Sequence, residues 1–383
     1  MYERERSTGN EAGAEATLAV PLPNEVGPPL SAQLFSFATA RRLIFAAGGL
    51  FLFVLALELL KTGAAGYGRQ LIALLDVTTP ASALGFGWLL AYLFLSGSPV
   101  AAVGVSFFAS GAIDSLQTFT MITGSRLGAS FIVLFVGFLY YLRGHRRAAS
   151  ISIGVLALLV TAAIYLPALV LGYWLLSSNL IGTMHVNADS PLASFIDVII
   201  APAVLLAQQY LPEWSLLPIG AGVLLAAFAL LDRALPEMDP ERSAFRRIGR
   251  LVYKPMAMFL LGAVVTSVTL SVSVSLAILV PLSAKGMIRR ENTLPYIMGA
   301  NITTFIDTLI AALIVGGPAA FTIVFIEVFS VTLISLGVLL LAYRPFSRSL
   351  LHVQELIVRN NRTLALFLGV MLLIPLLLLF VRI

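Results

Sequence analysis

Residues 95–130 read LSGSPVAAVGVSFFASGAIDSLQTFTMITGSRLGAS, and residues 270–305 read LSVSVSLAILVPLSAKGMIRRENTLPYIMGANITTF. One constant offset of 175 positions aligns the two without a gap. Leu95, Ser96, Ser98, Ala102, Val105, Ala109, Gly111, Ile113, Thr118, Ile122 and Gly124 then each meet an identical residue. Shared Leu and Ala mean little in apolar sequence; the paired Ser-x-Ser and the two glycines at one offset point to an internal duplication. The runs that precede the copies also correspond: LIFAAGGLFLFVLALELL from Leu43 and LPIGAGVLLAAFALLDRAL from Leu217.

The duplication sits in a chain that is 59% hydrophobic and only 11% charged, with a mean hydropathy of +0.97. A soluble domain could not cover its surface from such a composition, so the chain reads as an all-α polytopic helical membrane protein. Apolar runs occur at 43–60, 81–98, 126–142, 149–177, 215–231, 251–270, 303–315, 319–342 and 363–381. Several are shorter than the roughly 20 residues of a spanning helix, and Ser, Gly and Pro interrupt them at LSGSPV, TLSVSVS and GANITT. Irregular backbone at membrane depth is tolerated where it is buried in protein or lines a cavity, so these are read as broken or re-entrant helices beside about eight spans.

Arginine clusters at 41–42, 143–147, 246–250 and 344–348 read as cytoplasmic, with the N-terminus on the same side, whereas residues 177–191 carry no Lys or Arg and read as extracytoplasmic. The net charge of +5 therefore reports orientation in a cell membrane and not nucleic-acid binding. If 149–177 crosses outward and 215–231 inward, the run 191–208, with Asp197 and Pro202, is re-entrant or interface-lying. The two copies then start on opposite sides, giving two inverted repeats. The expected organisation is a disordered tail over 1–34, repeat 1 over 41–142, a linking span and re-entrant or interfacial helix over 143–212, repeat 2 over 213–316 and C-terminal transmembrane helices over 317–383.

Within each copy a helix breaks at a Ser-x-Ser, Ser96 with Ser98 and Ser271 with Ser273. Hydroxyls beside unwound backbone can replace the hydration shell of a small ion. Each copy then reaches a glycine turn, TGSRLGAS at 123–130 and MGANITTF at 298–305, read as a helix start whose amides and dipole suit an anion. Gly124 and Gly299 would let the backbone approach a ligand closely.

The order of helix, serine-rich break, helix and a Gly-led turn, given twice, resembles the sodium-dependent phosphate cotransporters of the type II group and their bacterial relatives. There each repeat carries Gln-Ser-Ser-Ser followed by Gly-Ser-Asn-Ile-Gly-Thr. Ser96, Ser98, Ser271 and Ser273 fall on the first and third serines; GANITT keeps Gly299, Asn301, Ile302 and Thr304, and GSRLGAS keeps Gly124, Ser125 and Gly128. The resemblance covers roughly residues 41–142 and 213–316. It implies inverted repeats, a phosphate site at Ser96, Ser98, Gly124, Ser125, Ser271, Ser273, Gly299, Asn301 and Thr304, with Arg126 and Thr303 counted among the candidates by their place in the two turns, and sodium near Ser96, Ser271 and Asn301. The chain departs from the pattern at both glutamines, which are Leu95 and Leu270, at both middle serines, which are Gly97 and Val272, at Arg126 in place of asparagine and at Thr303 in place of glycine.

An arginine in hydrocarbon costs roughly 2.5 to 3.5 kcal/mol on insertion scales, so Arg126 requires an explanation. It could stand in for a coupling cation and hold an anion, giving exchange or uniport. It could pair with Asp307 in the mirror-image helix as a gate or lock, or it could snorkel to headgroups. Asp307 could itself be a protonatable coupling group. Glu327, in VFIEVFSV, lies deep in an apolar run with no partner fixed by the sequence. Glu58 with Lys61 reads as an i,i+3 pair, and His145, His185 and His352 have no metal-ligand spacing. No nucleophile–base set or nucleotide-binding glycine loop occurs, so the expectation is a secondary transporter of a small inorganic anion, phosphate first, and not an enzyme. A non-transporting relative acting as sensor or assembly partner, and a sodium-independent exchanger using Arg126, are the alternatives.

Overall fold

The computed structural model describes residues 37–135, 147–178, 180–182, 196–234, 254–269, 272, 275–276, 279 and 290–382. The tail at 1–34, Ser271, Ser273, His145 and His185 lie outside them. Among the described residues every regular element is helical.

Helix α1 (Phe37–Gly63) runs through a π-helical turn (Ala64–Gly68) into α2 (Arg69–Leu74). Helix α3 (Pro80–Phe94) starts where Thr79 and Ser82 exchange side-chain and backbone hydrogen bonds and Pro80 fixes the first helical residue. It stops at Leu95, a non-glycine residue in the left-handed region at φ 50°. Past Ser96 and Gly97 the chain re-enters a helix, α4 (Ser98–Ala109). The first Ser-x-Ser is thus a helix break. Helix α5 (Ser115–Ala129) opens on a reciprocal cap between Asp114 and Gln117. That cap starts the apolar stretch at Ser115 and not near residue 126 as hydropathy suggests, because the polar first turns of α5 dilute its hydropathy.

Helix α6 (Arg147–Ser177) is followed by a π-helical turn (Ile196–Ile200) and α7 (Ala201–Tyr210), then α8 (Glu213–Ala234) and α9 (Pro255–Thr269). Helices α10 (Arg290–Thr303) and α11 (Ile306–Ala311) join at a break over Thr304 and Phe305, and a π-helical turn (Ala312–Gly316) leads into α12 (Gly317–Gly337). Helices α13 (Tyr343–Arg359) and α14 (Asn361–Leu379) complete the chain.

Among the described residues six stretches are long and apolar enough to cross a membrane: Ala40–Leu74, Ser115–Phe135, Ile151–Ser177, Glu213–Ala234, Arg290–Arg359 and Asn361–Leu379. Hydropathy suggests about eight. Part of the difference arises because α3 has 15 residues, a rise of roughly 22 Å against a hydrocarbon core of about 30 Å, and because the runs at 303–315 and 319–342 fall in one stretch, Arg290–Arg359. Val198–Tyr210 is also too short to cross.

Two helix pairs organise the interior: α3 packs along α5, and α9 along α10. In the first, a Cβ on Gly87 would collide with the carbonyl of Met121, and one on Gly124 with the carbonyl of Leu84. In the second, Gly262 meets the carbonyl of Tyr296 in the same way, and Gly299 that of Phe259. Each of these four residues in the first pair maps onto its counterpart in the second by the offset of 175, so the same small-residue contacts bring both pairs of backbones together.

Helix α6 packs against α5, α10, α12 and α13, and α14 lies on α3. There the Thr79 hydroxyl donates to the Val381 carbonyl at 3.0 Å, and Tyr92 to that of Met371 at 3.0 Å. Helix α13 is strongly amphipathic: Arg344, Arg348 and His352 are exposed while Gln354 is buried against Ser152 at 2.7 Å.

Candidate functional site

Buried polar side chains converge where α4, α5, α6, α10, α11 and α12 meet. Arg126 is the charge at the centre, 5% exposed, so it does not reach headgroups. Its Nη1 donates to Ser98 Oγ at 3.2 Å and Thr304 Oγ1 at 3.1 Å. Its Nη2 donates to Thr308 Oγ1 at 2.6 Å and lies 3.7 Å from Asp307 Oδ1. The guanidinium carbon sits 4.5 Å from the centre of the Phe305 ring, a face that attracts cations. Two atoms of this cluster have no hydrogen-bond partner among the described residues, Arg126 Nε and Asp307 Oδ2.

Chain geometry accounts for the assembly. The break at Leu95–Gly97 puts Ser98 at the first turn of α4, facing the α5 residue Arg126. The break at Thr304 and Phe305 turns the chain so that Thr304, Asp307 and Thr308 reach the same guanidinium. From α6, Tyr165 donates to the Asn301 carbonyl at 2.9 Å, and Thr161 Oγ1 accepts from Asn301 Nδ2 at 3.0 Å. Residues 161 and 165 are one turn apart on one helix face.

A cavity of about 50 Å³ opens at this cluster, lined by Ser96, Ser98, Arg126, Tyr165, Asn301 and Thr304, among others. A water needs roughly 10–15 Å³ on this measure, so the space holds a few waters or a small ion. Its lining takes corresponding positions from both copies: Gly97 with Val272, Arg126 with Asn301 and Ala129 with Thr304.

Of the residues singled out in the sequence, Ser96, Ser98, Arg126, Asn301, Thr304 and Asp307 thus come together. Gly124, Ser125, Gly299 and Thr303 do not line this cavity. Gly124 and Gly299 lie inside α5 and α10, where their task is helix contact, and the expected helix starts at 123–130 and 298–305 fall on the C-terminal turns of those helices, where the Ser130, Thr304 and Phe305 amides donate back to carbonyls of the preceding turn. The Ser125 hydroxyl donates to the Ile122 carbonyl at 2.7 Å, and Thr303 ties α10 to the Ala263 carbonyl of α9 at 2.9 Å. Thr161, Tyr165 and Thr308 were not singled out; the i,i+4 spacing of Thr161 and Tyr165 on an otherwise apolar helix was the available signal.

Residues 223–373 match the family model described as Na+/Pi-cotransporter, a span that includes Asn301, Thr304, Asp307 and Glu327. No curated protein and no solved structure matches the chain. Residues 223–373, from α8 into α14, are thus similar to the Na+/Pi-cotransporter family, in a chain whose long apolar helices mark it as a multi-pass helical membrane protein.

Proposed function

We propose that the protein is a secondary transporter of a small inorganic anion, phosphate first, with sodium as its coupling ion. The observation that carries this reading is the cavity itself: equivalent positions of two glycine-packed helix pairs line one polar space containing a buried guanidinium. In this reading the two pairs are inverted repeats with broken, re-entrant helices, and exchanging their conformations exposes the cavity first to one side and then to the other.

Charge balance supports coupling. Arg126 and Asp307 sum to zero and the lining also includes Asp232 of α8, so phosphate entering alone would leave an uncompensated anion in a low-dielectric core. Sodium entering with it restores neutrality, and the oxygens of Ser96, Ser98 and Asn301 are hard ligands suited to that ion. Arg126, through its unpartnered Nε and its Nη1, binds the phosphate oxygens. A second reading, sodium-independent exchange of anions, is favoured by one observation: Arg126 puts a fixed positive charge where the other copy has neutral Asn301.

The test is uptake of labelled phosphate by purified protein in liposomes. Accumulation that requires an inward sodium gradient is expected. Phosphate-for-phosphate exchange without sodium would select the second reading, and neither uptake nor exchange of phosphate or similar anions would overturn both.

A further inference from the structure

Among the described residues two carboxyl groups are buried, Asp307 and Glu327. Asp307 has Arg126 beside it, whereas Glu327, 2% exposed, makes no ion pair among the described residues. Glu327 lies in the middle of α12, and its carboxyl group meets a single hydroxyl, Thr123 of α5. The Thr123 Oγ1 lies 2.8 Å from Oε1, 2.9 Å from Oε2 and 3.0 Å from the Phe119 carbonyl.

Proton counting decides the chemistry of this contact. A threonine hydroxyl has one hydrogen and here has three acceptor oxygens around it. If that hydrogen goes to the Phe119 carbonyl, the carboxyl group can hold Thr123 only by donating a hydrogen of its own. If it goes to Glu327, a full negative charge remains in the core on one neutral donor, a loss of several kcal/mol. Both branches favour the carboxylic acid.

The surrounding charges do not change this. Arg126 of α5 and Tyr165 of α6 act on Glu327 electrostatically, but the guanidinium charge is offset by Asp307 at 3.7 Å, and both Arg126 Nη atoms donate to Ser98, Thr304 and Thr308 and not to Glu327. Among the other elements packed on α12, Asp307 of α11 is held by Arg126 and Thr308, and Tyr296 of α10 by Ser275. Helix α4 and the π-helical turns Ala312–Gly316 and Val338–Ala342 carry no ionisable side chain.

We propose that Glu327 is a proton-binding site in the membrane core, loaded while α5 lies against α12 and discharged when the two helices part. On discharge the carboxyl O–H bond breaks, water accepts the proton, and a carboxylate remains in the opened, hydrated space. Thr123 and Arg126 lie one turn apart on α5, so a movement of α5 that opens the anion cavity also releases Glu327. The link to transport rests on the function proposed above; the protonation of Glu327 does not.

Infrared spectroscopy of purified protein in liposomes tests the protonation directly. The wild type is expected to show the carbonyl stretch of a buried carboxylic acid, lost in Glu327→Gln, retained in Asp307→Asn and shifted toward that of an unbonded acid in Thr123→Val. An acid band unchanged in both Glu327→Gln and Thr123→Val would overturn the proposal whether or not the protein transports. For coupling, phosphate uptake is followed against external pH with a trapped pH dye. Phosphate titrates equally for both proteins, so the expected result is more proton entry per phosphate in the wild type than in Glu327→Gln, where only the protons carried by phosphate itself remain. Superimposable pH profiles and equal proton entry would overturn the coupling.

Discussion

Gly124 of α5 rests against the backbone carbonyl of Leu84 on α3, so closely that no Cβ fits between them. Gly299 repeats the contact against Phe259 in the second pair. Gly124→Ala and Gly299→Ala each force two backbones apart, a form of overpacking that costs about 1–3 kcal/mol, and more where backbone must move. Gly222→Ala is the control, because a Cβ there meets open space and alanine favours a helix by up to about 1 kcal/mol. Thermal unfolding in detergent should show the first two variants melting earlier and the third at or above wild type. Equal melting of all three would mean that the close approach does not bear on stability.

Arg126 and Asp307 form a buried pair linking α5 to α11. Removing one partner leaves an uncompensated charge, a loss of about 3–5 kcal/mol, whereas replacing both with uncharged groups is far milder. Arg126→Met is therefore expected to destabilise strongly, and Arg126→Met with Asp307→Asn to recover most of the loss. Chemical unfolding of the two single variants and the double variant gives the coupling between the sites. Additive losses would show that the two charges do not sense one another.

The positions that converge were legible because the offset of 175 is carried by residues whose type matters: Arg126 and Asn301 occupy one register and line one cavity. The roles of Gly124 and Gly299 were not legible. A glycine that frees a backbone for a ligand and one that admits a neighbouring carbonyl look alike until the partner helix is placed, and here the partners are Leu84 and Phe259. Glu327 stood out as a charge in an apolar run, but its partner Thr123 lies 204 positions away, and no local spacing encodes so distant a contact. Tyr165 and Thr161 were hidden for a related reason: on α6 they resemble the ordinary polar minority of a spanning helix, and only the packing of α10 on α6 brings Asn301 to them.

The basic clusters make a claim about sidedness that the absence of cysteine renders easy to test, since the natural chain needs no prior cysteine removal. Arg42→Cys and Arg348→Cys are expected to react with a membrane-impermeant thiol reagent from the cytoplasmic side, and Gly182→Cys from the opposite side. All three positions are open or partly exposed. Labelling of Arg348→Cys and Gly182→Cys from the same side would contradict the crossing assigned to α6 and with it the opposed orientation of the two copies.

Tyr165 tests whether the cavity needs its supporting residues as well as its lining. The Tyr165 hydroxyl fixes the Asn301 carbonyl, and its ring stacks on Phe305 at 6.3 Å between centroids, the ring over which Arg126 lies. Tyr165→Phe keeps the ring and deletes one hydrogen bond, a stability loss of about 1 kcal/mol. Because Asn301 and Arg126 both line the cavity proposed to hold the anion, the same change is expected to raise the KM for phosphate. Tyr343→Phe deletes a bond of the same kind, from its hydroxyl to the Glu291 carbonyl at 2.6 Å, away from the cavity. It should cost similar stability and leave KM alone. Initial uptake rates across a range of phosphate concentrations separate the two effects. If the two variants shift KM alike, the changes report general loosening of the fold; if Tyr165→Phe shifts only stability, Asn301 does not take part in holding the anion.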